Sequence, residues 1–362
     1  IWGDHHLMSI APQAVAEAVD WFGLALMDGT KDSHWIEPSN QIYLWKEIFG
    51  LFALLVTIAS IIPLTNILLA TTYFSSVAQP MPNRYKPSKG QWWIFATVNA
   101  LIGGVLWLLF AYKGDVLQKL PFMKLLMGNG TALWYLLNAV VASILIFIWY
   151  RTSAKKAGVT TYDLGFSFDT EKTKFDWGIL GKTLLLGVIL FVWMYILSAI
   201  SQWALGEEFR FGWPFMRQFA TPQRVGLFLV YLIPALAFFL INGGVFLFGQ
   251  ARQAEYGTQR KSLWMWWLKN LYAGLVGLFL VWGLQYLPWM LAGTGPFWTL
   301  TGTVGAPFAI WILMLWVYIP VFAVLLFMLT WFFRRTGRVY LGALIIASLA
   351  IWFLAAGSVI GV

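Results

Sequence analysis

The sequence contains no cysteine and very little charge. Of its 362 residues, 11% are Asp, Glu, Lys or Arg, whereas 60% are hydrophobic and 18% are aromatic. The absence of cysteine excludes disulfides, thiolate metal ligands and cysteine nucleophiles. The scarcity of charge, with a mean hydropathy of +0.72, excludes a soluble globule for most of the chain, because too little polar surface could cover the apolar material. The composition indicates a membrane protein.

Acidic residues are the rarer of the two charged classes. The chain has 24 Lys and Arg against 15 Asp and Glu, for a net charge of +9. The basic residues stand in short loops between apolar runs, so we expect them to contact anionic lipid headgroups rather than nucleic acid. We therefore predict membrane lipids and other membrane-protein subunits as partners, no nucleic acid, no cofactor and no bound metal.

Long apolar runs dominate the chain from Leu44 onward. Stretches of about 20 residues recur there, which is the length that crosses about 30 Å of hydrocarbon. Backbone amides in lipid must be bonded internally, so runs this long must be helices. The predicted fold is an all-α polytopic transmembrane bundle. Its eight predicted spans cover 48–70, 91–112, 131–150, 179–203, 225–249, 265–290, 307–333 and 339–361.

The predicted spans lack charged residues away from their ends. Ion-coupled carriers and proton pumps usually keep such a group at mid-membrane, so this absence disfavours coupled transport. The polar residues within the spans are amides, which we expect to hydrogen-bond between helices at about 0.6–2 kcal/mol each. These amides are Asn66, Asn99, Asn138, Asn242 and Gln285.

Proline and tryptophan mark further features of the spans. Pro63, Pro234 and Pro320 lie inside predicted spans and predict kinks. Indole rings are typical of the interface between hydrocarbon and water, and several follow a lysine where a span begins. We therefore predict interface anchors at Trp92, Trp93, Trp264, Trp266 and Trp267.

The loop charges predict an orientation. Sixteen of the 24 Lys and Arg residues fall in one alternating set of loops, and the other eight fall on the opposite side. Because basic loops are retained in the cytoplasm, we predict that both termini lie outside it. We expect a multi-pass protein of the cell membrane.

The first part of the chain has a different pattern. Val15, Val19, Phe22 and Leu26 fall on one helical face, Pro12 suits a first helical turn, and Gly29 suits a helix stop. These features predict an amphipathic helix about 16 residues long. A polar joint follows. We therefore divide the sequence into 1–30, a joint over 31–43, and a membrane domain over 44–362.

Ahead of this helix the sequence reads Gly3-Asp4-His5-His6-Leu7. A short apolar end, this segment, a few loop residues and a closing amphipathic helix resemble the last part of an α/β-hydrolase of the dienelactone-hydrolase or esterase type. The resemblance implies that His5 is the triad histidine, with His6 as the alternative. It also implies that the serine nucleophile and its acidic partner precede Ile1. Because the predicted orientation places this segment outside the cytoplasm, a signal or a further span would also precede Ile1. The competing interpretation is a His-His pair in an ordinary polar loop.

Two loops carry distinctive sequence patterns. Glu207-Glu208-Phe209-Arg210 resembles the Glu-Glu-x-x-x-Arg motif of membrane-embedded prenyl-protein endopeptidases, but Gly212 occupies the position where that motif has arginine. We expect an outward loop there, with an amphipathic segment around Trp213.

In the loop 151–177, Leu164, Phe166 and Phe168 alternate with small or polar residues. That pattern predicts either a short strand or interfacial segment, or a solvated connector.

Three functions therefore compete. The first is a membrane-anchored α/β-hydrolase of ester or acyl bonds, with an extracytoplasmic catalytic head that lies mostly outside this chain. The second is a non-enzymatic integral membrane subunit, or a lipid-binding assembly factor, of a larger complex. The third is a transporter of an uncharged solute or a lipid. A fold-level resemblance cannot name the substrate.

Overall fold

The structure is a computed structural model that describes residues 11–31, 33, 35–82, 89–169, 175–211, 213–250, 254–297 and 311–361. Helices dominate it. They are α1 (Pro12–Met27), α2 (Tyr43–Leu69), α3 (Lys89–Phe110), the short α4 (Asp115–Gln118), α5 (Leu126–Trp149), α6 (Trp177–Leu205), α7 (Pro222–Phe238), α8 (Gln259–Ala292), α9 (Leu315–Thr336) and α10 (Tyr340–Gly357). A small antiparallel hairpin joins β1 (Phe209–Arg210) to β2 (Pro214–Met216).

The predicted all-α multi-pass class is confirmed. Among the described residues, eight helical segments are long and apolar enough to cross a membrane. They match the eight predicted spans in number and order, with boundaries that differ by several residues. The segments are Tyr43–Leu69, Gly90–Gln118, Leu126–Ala154, Trp177–Leu205, Pro222–Gly244, Gln259–Ala292, Trp311–Thr336 and Tyr340–Gly357.

The chain packs as two compact units. The first comprises the described parts of Ile1–Pro63 and Trp193–Gln218. It holds α1, the polar joint, most of α2, the end of α6 and the hairpin. Within it, Trp193 donates its indole N–H to Ser60 Oγ over 2.9 Å. Gly50 lets the hairpin approach α2 closely, because a Cβ there would lie 2.8 Å from the carbonyl oxygen of Arg210.

The second unit comprises Leu64–Val192 and Phe219–Val362. Its core includes α10, a helix that is apolar on every side and buried along most of its length, as expected of a central helix. Helices α3 and α8 meet at Gly104 and Gly277, where each glycine lies against the backbone of the other helix. Trp107 and Trp134 pack edge to face, with ring centroids 5.4 Å apart.

Some of the predicted tryptophan anchors are wrong. Trp93 and Trp264 are exposed, as an interface anchor requires, but Trp92 and Trp266 are buried. Burial is possible because the indole N–H of Trp266 donates to the carbonyl of Ala254, and because Lys269 lies over the ring of Trp92. These two rings therefore serve packing between helices.

The described part of the loop 151–177 also differs from both expectations. A π-helical turn over Tyr150–Ala154 leads into successive turns rather than a strand. Leu164 is buried and packs with Trp149, Ala154 and Val159. The turn closes at Gly165, whose φ of +75° favours glycine and whose carbonyl accepts from the amide of Val339. The apolar alternation thus reflects packing of the loop against the bundle.

The prolines lie inside helices as predicted, at Pro63, Pro234 and Pro320. Beyond Pro234 the fifth span changes from α-helix to π-helix at Phe239. Proline lacks the N–H that a helix requires, and a local π adjustment is one way in which membrane helices satisfy the backbone groups that proline leaves unbonded.

Candidate functional site

The most elaborate polar arrangement of the first unit lies where α2 begins and α6 ends. Gly206, with a φ of +66°, follows the last turn of α6, and the chain then enters the hairpin. Phe209 pairs with Met216 in the hairpin, and both side chains are buried. Ser198 of α6 donates its hydroxyl to the carbonyl of Met216, and Gln218 donates to Ser198 Oγ over 3.1 Å. The hairpin is therefore fixed to α6.

Six charged side chains meet beside this hairpin, and together they form what we call the charged platform. Lys46 and Glu47 come from the first two turns of α2, whereas the others come from the α6 end and the hairpin region. The six are Lys46, Glu47, Glu207, Glu208, Arg210 and Arg217.

Arg210 links the two halves of the charged platform. Its Nε lies 3.0 Å from Glu47 Oε1, and its Nη1 lies 3.5 Å from Glu208 Oε1. Arg217 approaches the other oxygen of Glu208 at 3.1 Å. Glu47 is only 8% exposed, so an unpaired charge there would be costly, and its pairing with Arg210 stabilises the contact between α2 and the hairpin.

The rim of the charged platform is more open. Lys46 Nζ lies 2.8 Å from Glu207 Oε1, and both side chains are substantially exposed. Ion pairs at such exposure typically contribute about 0–1 kcal/mol and are easily exchanged for other partners. The charged platform thus combines a fixed interior pair with an exchangeable outer pair.

A cavity of about 250 Å³ opens among these side chains. This volume far exceeds the roughly 10–15 Å³ that one water requires. Its lining carries cationic and carboxylate groups together, with the side-chain amide of Gln202. In the part of the chain that the structure describes, no three His, Asp or Glu residues are grouped so as to hold a metal ion. The charged and polar lining of this cavity can recognise charged and polar groups.

The second unit has a polar cluster in its interior. Asn242 donates its amide to Asn99 Oδ1 over 2.9 Å, and Asn99 donates to the carbonyl of Ala273 over 2.8 Å. The expectation of amide bonds between helices is confirmed for these two residues. It is wrong for Asn138, whose side-chain amide donates to the carbonyl of Trp134 in its own helix. The cavity beside these amides measures about 10 Å³, which is room for one water at most.

The remaining span amides bond at helix ends and loops. Asn66 of α2 accepts a hydrogen bond from Arg335 Nε of α9 over 2.7 Å, so an interhelical bond is confirmed for Asn66 as well. Gln285 accepts one from the loop amide of Phe297 over 2.9 Å. A further interhelical bond, from Asn270 of α8 to Thr330 of α9 over 3.1 Å, was not predicted, since Asn270 stands beside Lys269 near the start of its span.

The predicted triad candidates His5 and His6 lie outside the described residues. The helix that follows them matches its prediction closely. It begins at Pro12, ends at Met27, and is followed by left-handed residues at Asp28 and Gly29. Its predicted apolar stripe is largely uncovered, with Val19 45%, Phe22 53% and Leu26 78% exposed.

The polar joint is folded back on α1. The indole ring of Trp35 lies against Gly23, the buried residue of α1. Lys31 Nζ donates to Glu37 Oε1 over 2.8 Å, and the Trp35 indole N–H donates to the same oxygen over 3.3 Å. The hydrogen bond from Lys31, followed by that from Trp35, lowers the pKa of Glu37 below its ordinary value of 4.5.

Sequence reasoning did not find the charged platform. Lys46-Glu47, Glu207-Glu208-Phe209-Arg210 and Arg217 together carry three cations and three carboxylates on one predicted side of the membrane, which was the available signal. The predicted amphipathic segment at Trp213 is instead part of the hairpin region, where the amide of Phe211 donates to the carbonyl of Trp213.

Comparisons of this chain with protein-family models, with curated protein sequences and with solved structures gave no match.

Proposed function

We propose that this chain is the membrane anchor and the final segment of an α/β-hydrolase that cleaves an ester or acyl bond outside the cytoplasm. The order of segments supports the proposal: Gly3-Asp4-His5-His6, a short connection, and then an amphipathic helix. In this class of enzyme the catalytic histidine follows the last strand, and the closing helix packs against the sheet.

The uncovered stripe of α1 is the observation that carries the proposal. Val19, Phe22 and Leu26 lie on one face, and among the described residues they remain 45%, 53% and 78% exposed. A soluble amphipathic helix normally buries such a stripe, so its occupant must be sought beyond the described residues. The sheet of a hydrolase head is the occupant that fits the preceding Asp-His-His segment.

In the proposed reaction His5 acts as general base. Its imidazole takes the proton of a serine hydroxyl as the oxygen attacks the ester or acyl carbonyl, and a carboxylate on the other ring nitrogen holds the tautomer. The imidazolium then returns the proton to the leaving group. The serine and the carboxylate would precede Ile1, and the bundle would hold the head at the membrane surface.

Labelling with a fluorophosphonate tests this proposal on the product of the intact gene. We expect a serine-directed label on the wild-type protein, loss of nearly all turnover in His5→Ala, and retained turnover in the matched control His6→Ala. A positioned base contributes about 10²–10⁴ in rate, so the two variants should separate clearly. An inactive His6→Ala variant beside a fully active His5→Ala variant would show that His6 is the general base. A wild-type protein that takes up no label would contradict the proposal that the protein is a serine hydrolase.

The second candidate is an integral subunit or lipid-binding assembly factor of a membrane complex. The same uncovered stripe favours it, because α1 could dock on a partner protein. Native mass spectrometry of the gentle-detergent extract separates the two candidates. A stoichiometric partner that is bound by the wild-type protein and lost from the Phe22→Glu variant, with no fluorophosphonate label on the wild-type protein, would favour the subunit over the hydrolase.

A further inference from the structure

The cavity of the charged platform lies at the end of two candidate membrane spans. Lys46 belongs to the first turn of Tyr43–Leu69, and Gln202 belongs to the last turn of Trp177–Leu205. Side chains at the ends of spanning helices lie at the depth of the lipid headgroups. The exposed indoles of Trp45 and Trp203, each adjacent in the chain to a lining residue, fit the same interfacial depth.

The cavity has charges of both signs. Three cations and two carboxylates line it, and Glu47, which does not line the cavity, pairs with the lining residue Arg210. Lys46 and Arg217 therefore stand against Glu207 and Glu208, and the rim pair Lys46–Glu207 is exposed enough to exchange partners. A purely anionic ligand would face Glu207 and Glu208, whereas a purely cationic one would face Lys46 and Arg217. A zwitterion presents a phosphate to the cations and an ammonium to the carboxylates, which satisfies both sets of groups.

The helix below the cavity offers an apolar surface. Trp45, Phe49, Phe52 and Val56 follow one another at spacings of four, three and four along α2, and all are exposed. Residues so spaced share one helical face, which runs from the headgroup level into the span. An acyl chain could therefore lie along α2 while its headgroup occupies the cavity.

We propose that the charged platform binds the headgroup of a zwitterionic phospholipid of the phosphoethanolamine type. Lys46 and Arg217 hold the phosphate, and Glu207 and Glu208 accept from the ammonium. The site is independent of the proposed hydrolase and would exist equally in a subunit of a membrane complex.

Native mass spectrometry of the full-length protein tests the proposal in nanodiscs that contain phosphatidylethanolamine, phosphatidylglycerol or both. We expect wild type to retain phosphatidylethanolamine over phosphatidylglycerol. Lys46→Gln should weaken retention of both lipids, about tenfold or more for loss of one charged hydrogen-bond donor. Glu207→Gln should remove one of the two negative charges that face the ammonium and shift the preference toward phosphatidylglycerol. The matched control Lys119→Gln changes an exposed lysine that does not line the cavity, and it should behave as wild type.

Soluble phosphoethanolamine distinguishes the source of the headgroup. We expect it to displace the lipid only weakly, because it lacks the acyl chains that contact α2. Displacement at the same concentration as the diacyl lipid would overturn a lipid site in favour of a soluble phosphoester site. Equal retention of both lipids by wild type, Lys46→Gln and Glu207→Gln would overturn the proposal outright, and co-elution of the variants with wild type shows that they are folded.

Discussion

Glu37 connects two other residues of the polar joint. Its carboxylate accepts from both Lys31 and Trp35, and Trp35 in turn lies against α1 at Gly23. Because these bonds favour the charged form, the pKa of Glu37 is lowered from 4.5. The ionised group therefore stabilises the joint at neutral pH, and this contribution is lost as the pH falls below 4.5 through the lowered pKa.

A single spin label checks this pH dependence. The chain has no cysteine, so Ser33→Cys provides one labelling site within the joint. We expect the label to be ordered at neutral pH and to become more mobile on acidification. In Glu37→Gln the label should be mobile at every pH. A label whose mobility does not change with pH in the Glu37 protein would contradict this role.

At the scale of elements, the contact between α3 and α8 depends on glycine. A Cβ at Gly277 would overlap the carbonyl oxygen of Ala100, and one at Gly104 would lie 2.5 Å from the carbonyl oxygen of Gly277. Backbone lies against backbone there, so neither helix can yield by a side-chain rotation. Close approach of this kind is typical of small residues in membrane helices.

We expect Gly277→Ala to destabilise the bundle by about 1–3 kcal/mol, the usual cost of overpacking. The control is Gly226→Ala in α7, where an added Cβ meets nothing within 4 Å. That variant should be unchanged or slightly more stable, because alanine is the better helix former. Thermal unfolding in one detergent measures both. A Gly277→Ala protein that melts at the wild-type temperature would show that the two helices are not in this contact.

Much of the element order could be predicted because apolar length alone defines a membrane span. The residues at which the helices begin are harder to predict. Helix α2 begins at Tyr43, whereas the predicted span begins at residue 48, because Lys46 and Glu47 interrupt the apolar run. In the structure these two residues pair with charged residues of the α6 end and the hairpin region. Hydropathy cannot report such a pairing, because its partners are far apart in the sequence. The hydropathy pattern predicts interface anchors at Trp92 and Trp266, and it does not reveal their burial because the residues that cover them are also distant in the sequence.

At the scale of the whole molecule, the even number of spans and the asymmetry of the loop charges act together. If the eight candidate spans of the described residues all cross the membrane, both ends of the membrane domain lie on one side. The cation-rich loops lie on the other side, so the positive-inside rule predicts that both ends are extracytoplasmic. The proposed hydrolase head requires α1 to face outward. A reversed orientation would place the head in the cytoplasm.

Accessibility of single cysteines in intact cells tests that orientation most directly. Ser33→Cys lies in the joint after α1, and Thr152→Cys lies at the end of the candidate span Leu126–Ala154, where a cation-rich loop follows; both native side chains are exposed. We predict that a membrane-impermeant maleimide labels Ser33→Cys in intact cells and Thr152→Cys only after the membrane is permeabilised. The reverse pattern would contradict an extracytoplasmic head, and labelling of both sites without permeabilisation would contradict the eight-span topology.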